Sequence, residues 1–202
     1  MDNKILGGII IIIFVTVFLV FFSQESEKKE LTFSEGIKGI NLLWEKNKVN
    51  SAYLTSNDSE LKFSSSDLDA LSDDLIEFQN SLNDLDKTED VEALKDFTKT
   101  NILMVEELQT ALQLKNTKDN LEEVTGEDIC TYKNELTLMG ENTIKLNEKI
   151  SSVNESINFF NENHSNFIEE ANLTFLIVDE TEFSKIKLEN ETTINELKEA
   201  CP

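Results

Sequence analysis

The sequence predicts an all-α protein, with an N-terminal transmembrane helix followed by an elongated antiparallel helical bundle of long heptad-patterned helices. Three observations predict it. Residues 5–22, ILGGIIIIIFVTVFLVFF, carry Thr16 as their only polar side chain. Past residue 40 the glycines are Gly126 and Gly140, and the single proline is Pro202, so the punctuation of a β-rich fold is missing. Apolar residues then recur every three or four positions along most of the remaining chain.

The apolar run comes first. At about 1.5 Å per residue it spans roughly 27 Å, close to the hydrocarbon thickness of a bilayer. A core helix would keep a polar face over that length. The run passes into Phe21-Phe22-Ser23-Gln24-Glu25-Ser26 with no small-x-small cleavage site, so it reads as an uncleaved anchor. Residues 1–22 are then the anchor, 23–33 a juxtamembrane linker and 34–202 an acidic bundle domain. Lys4 on one flank and Lys28 with Lys29 on the other leave the orientation to other features.

Within the bundle, Ser34 is placed to cap a first helix carrying Ile37, Ile40 and Trp44, with Gly36 and Gly39 weakening it. Residues 57–59 and 64–66 bracket a loop. Ser66 with Asp69 resembles a capping box, and Leu68, Leu71, Leu75, Phe78, Leu82 and Leu85 follow as a heptad seam. Thr88 opens a third helix bearing Val91, Leu94, Phe97, Ile102, Val105, Leu108 and Leu112. Its run Ile102-Leu103-Met104-Val105 is wide enough for burial on two sides.

Thr125 with Asp128 marks the start of the longest pattern, a seam from Ile129 to Ala171 that includes Leu136, Ile150, Ile157, Phe160, His164 and Phe167. As one helix, 129–171 would be roughly 64 Å long, with a weak point at 161–166, where helix formers are scarce. Leu173 to Val178 is a short run rich in strand formers. A last helix carries Phe183, Ile186, Ile194, Leu197 and Cys201, with Asn190 in its seam.

Charge divides the chain unevenly. Of its 40 acids and 18 lysines, residues 63–202 hold most of the acids, for a net −21 out of −22, while the membrane-proximal stretch is nearly neutral. Repulsion from anionic headgroups would hold such a body off the membrane surface. Arginine is absent and His164 is the lone histidine, which removes arginine phosphate clamps, two-histidine metal sites and a basic nucleic-acid surface.

Cys130 and Cys201 are the two cysteines. In an oxidising compartment they would close a long loop and staple a chain end otherwise prone to fraying. Their meeting requires residues 172–180 to run back extended along the long helix. Five Asn-x-Ser/Thr sequons, at Asn57, Asn154, Asn163, Asn172 and Asn190, permit glycosylation without arguing for it.

Sites of chemistry are few. The acidic stretch from Asp84 begins like a calcium loop, but Glu89 stands where a glycine must turn and Lys95 where a bidentate glutamate belongs. There is no Gly-x-Ser-x-Gly turn and no phosphate loop. His164 sits on an apolar seam and reads as a core or kink histidine. No catalytic residue, metal or cofactor is expected.

The expectation is a single-pass membrane protein with its C-terminal domain extracytoplasmic and a structural or protein-interaction role. Its partners would be the bilayer, through residues 5–22, and a second copy or a surface protein, through the bundle; nucleic acid is not among them. The alternative is a ligand-sensing bundle that signals through a separate membrane partner.

Overall fold

The structure, a computed structural model, describes residues 30–49, 63–121, 129–175, 177–178 and 180–201. The apolar segment 5–22 and the expected helix start at Thr125 and Asp128 lie outside them. Among the described residues no helix is long and apolar enough to cross a membrane. The chain divides into two compact units, residues 1–32 and 33–202. The second is built mainly of helices, with no strand among its described residues.

Its helices are α1 (Phe33–Lys46), α2 (Ser65–Leu82), α3 (Glu89–Leu121), α4 (Lys133–Asn163), α5 (Ser165–Ala171) and α6 (Glu180–Ala200). The centre is the α3–α4 pair. Its register is antiparallel: His164 bonds Asp96, Ser156 bonds Thr100, Lys149 pairs with Glu106 and Asn142 bonds Thr117. α6 runs antiparallel on the other side of α4, with Lys187 on Glu148 and Ile194 over Gly140.

α1 lies parallel to α3 instead, since Phe33 meets Asp90 and Trp44 meets Asn101 at the same sequence offset of 57. α2 closes back antiparallel to α1, where Lys46 pairs with Asp74 at 2.9 Å. A bundle is what the 3.6-residue periodicity demands, because each helix has one apolar stripe to cover.

Several local expectations are corrected. α1 begins at Phe33, one residue before the expected cap Ser34, and its first N–H donates to the Asp90 carboxylate at 2.6 Å. A side chain from another helix therefore satisfies a donor that local capping usually serves. The box that opens α2 is Ser64 with Asp67, two residues before the expected pair. The Ser64 N–H and hydroxyl both donate to Asp67, which holds that carboxyl below its usual range. Phe63 and Leu68, at the two positions of a hydrophobic staple, are both buried.

The α2 seam holds from Leu68 to Leu82, but Leu85 lies past the helix end and is exposed. In α3, Thr88 caps as expected, accepting from the Val91 N–H at 3.2 Å. Of the run 102–105, Val105 alone is fully sealed. The expected 129–171 rod is shorter and broken. Ile129 to Tyr132 form a turn, α4 starts at Lys133, and the helix stops at His164 before α5 resumes. The break falls inside the asparagine-rich stretch marked as its weak point.

Gly36 of α1 and Gly140 of α4 are contact points. A Cβ on Gly36 would lie 2.1 Å from a Leu94 methyl, so α1 approaches α3 as closely as it does because the side chain is missing. Gly140 performs the same service for Ile194 on α6, where a Cβ would come within 2.8 Å.

Candidate functional site

Two places concentrate chemistry. The first is the break in the long helix. His164 has left helical geometry (φ −133°, ψ 33°), and its N–H still closes on Phe160 O at 2.8 Å. The displaced ring reaches across to α3, where Nε2 meets the Asp96 carboxylate at 2.8 Å. Around it Phe33, Phe97, Phe160, Phe167 and Phe175 form a continuous aromatic cluster with centroids 4.8 to 6.2 Å apart. The His164 ring joins this cluster 5.0 Å from Phe160.

A cleft of about 550 Å³ opens beside the ring, lined by Lys87, Thr88, Glu89, Glu92, Asn163, His164, Asn166 and Phe167. It mixes one cation, two carboxylates and amides over an aromatic floor. A second, of about 430 Å³, lies across the α3–α4 seam between Asp96, Lys99, Leu103 and Phe159. The Asp96–His164 bond joins the walls of the two. Among the described residues no cluster of three or more His, Cys, Asp or Glu is arranged to hold a metal.

The second place is the opposite end of α4. The turn before the helix carries Cys130, and Cys201 directly follows the end of α6. The structure joins their sulfurs, with the Cα atoms 5.4 Å apart and 71 residues between them in sequence. Cys130 is exposed and Cys201 is 4% exposed. The Lys133 ammonium, on the first residue of α4, donates to the Cys201 carbonyl. Residues 173–175 and 177–178, which lead into α6, are non-helical.

The sequons occupy unlike surroundings. Asn154 is 3% exposed, and its amide grips one peptide of the segment before α6: Nδ2 donates to Val178 O at 2.8 Å and Oδ1 accepts from its N–H at 3.1 Å. A single side chain thus supplies the two bonds that a neighbouring strand would. Asn163 and Asn172 are exposed, Asn172 in the left-handed conformation that ends α5 (φ 50°). Asn190 is half-buried facing Gly140. Asn57 lies outside the described residues.

Sequence reasoning missed the partner of His164. It also missed Glu107, whose carboxyl burial pushes up to about 7. Asp96 is one of many acids on α3, and nothing local marks it; only the α3–α4 register brings it to His164. Glu107 stands beside Glu106, and no local pattern in the sequence separates the two. No protein-family model, curated protein or solved structure matches this chain.

Proposed function

We propose that this protein is a membrane-tethered helical bundle, extracytoplasmic in location and non-enzymatic, that acts as a structural or protein-interaction module. The observation that carries the reading is the meeting of Cys130 and Cys201. Such a pair is kept joined in oxidising compartments and reduced in the cytosol. The apolar segment 5–22 supports the tether, and the acidity of 63–202 supports a body held clear of anionic lipid. Exposed apolar side chains such as Leu138 and Phe159 supply contact surface for a second copy or a surface protein.

A second reading, a ligand-sensing bundle that signals through a separate membrane partner, draws support from the cleft beside His164. Its test is competition: a ligand held there would protect a cysteine placed at Asn166 from alkylation.

The main reading is tested by labelling intact cells with a membrane-impermeant maleimide, with and without prior reduction. Labelling of Cys130 and Cys201 after reduction alone is the expected result. Labelling that waits for lysis and then needs no reductant would overturn the location and the joined cysteines together.

A further inference from the structure

We propose that the Cys130–Cys201 bond is a thiol–disulfide exchange site for a dithiol reductant, and that its cleavage releases α6 from α4. The inference rests on the reading of the joined pair given above. It starts from how lightly the side chains of α6 are buried. Among its described side chains Ile194 and Leu197 are buried and the rest are half-buried or exposed. Among the described residues its ties to α4 include the Lys187–Glu148 pair at 3.0 Å, the Lys133 ammonium on the Cys201 carbonyl and, before the helix, the Asn154–Val178 clasp. Gly140 lets Ile194 settle closely on α4 but gives it no side chain of its own to cover. A helix buried this lightly depends on its covalent tie.

The two sulfurs differ in access. Cys130 stands exposed in the turn before α4, while Cys201 is covered. In-line attack requires approach from the side opposite the leaving sulfur, so an incoming thiolate meets Cys130 Sγ first. A bond forms between the reductant sulfur and Cys130, the Cys130–Cys201 bond breaks, and its electron pair leaves on Cys201 Sγ. The Lys133 ammonium, held at the Cys201 carbonyl, stands close by and favours the departing thiolate. The second thiol of the reductant then attacks its own mixed disulfide. Two electrons and two protons have passed to the protein, and the reductant leaves as its disulfide.

The test uses the full chain in detergent micelles, oxidised with copper phenanthroline and compared with the same sample after dithiothreitol, by hydrogen exchange. Protection over 184–200 is expected to fall by about a hundredfold on reduction, while 91–108 changes less than about threefold. Equal protection of 184–200 in both states, or collapse of both regions together, would overturn the release. A second arm traps the first step with glutathione and alkylation: the adduct is expected on Cys130 with Cys201 alkylated, and an adduct mainly on Cys201 would overturn the order of attack. Oxidation in vitro keeps this test separate from the labelling in cells, so either proposal can fail alone.

Discussion

The two ends of the α3–α4 pair are closed by different means. Where α1, α2 and α5 pack, the interior holds Phe33, Leu71, Leu75, Leu94, Val105, Ile157 and Phe160, all at 1% exposure or less. Where α6 packs, the described buried groups include Ile194, Leu197, Cys201, Gly140, Asn142, Asn154 and Thr117, with a covalent bond at the rim. One end is held by apolar area. The other has too little of it and relies on loop closure, which over a separation of 71 residues stabilises by about 4 kcal/mol. A single pattern of apolar spacing runs through both, so heptad regularity reports helix formation rather than quality of closure.

The comparison predicts unequal responses. Phe160→Ala removes the ring at the centre of the aromatic cluster and should cost about 3–5 kcal/mol, read as a fall in the urea midpoint of the whole bundle. Cys201→Ser should cost about 4 kcal/mol, but as early loss of α6 with the α1–α3 transition little changed. A single transition shifted as one would erase the distinction between the ends.

Glu107 sharpens the comparison through pH. Its carboxyl ionises near 4.5 in the unfolded chain and at about 7 in the fold. Between those values the unfolded chain holds fewer protons, so stability falls as pH rises, by up to about 1.4 kcal/mol per pH unit, and levels off above 7. Glu107→Gln should therefore leave stability at pH 4 unchanged. At pH 8 it should add about 3 kcal/mol at most. A variant with the same pH profile as the parent would show that the group is solvated.

Smaller effects come from the glycines. Gly36→Ala forces a methyl into Leu94 and should cost about 1–3 kcal/mol, whereas Gly140→Ala meets a looser neighbour in Ile194 and should cost less. Reversal of that order would place the tighter packing at the α6 end.

Much of this was legible before the structure, and the failures share a cause. Helix identities, the Thr88 cap, the break near His164 and the cysteine pair all follow from local pattern or from chain-length arithmetic. The α2 start slipped because Ser64-Ser65-Ser66 and two aspartates offer two equivalent Ser-x-x-Asp registers, and Phe63 selects the earlier one by being buried. Gly36 read as a weak spot because its partner, Leu94, is 58 residues away. Asn154 read as a sequon, and its grip on Val178 depends on where the chain returns. Contacts of that range are set by helix register across the bundle, which no single segment encodes.

The parallel arrangement of α1 and α3 also bears on load. A pull on the chain upstream of Phe33, directed along the axis of α1, sets that helix sliding against α3 and α2 all at once. The Asp90 clasp, the Gly36–Leu94 notch and the Trp44–Asn101 bond then strain together instead of parting in turn. Resistance to such a pull is a matter of unfolding rate rather than equilibrium stability. The start of α1 is thereby built as a shear joint, which yields only when all three contacts give together.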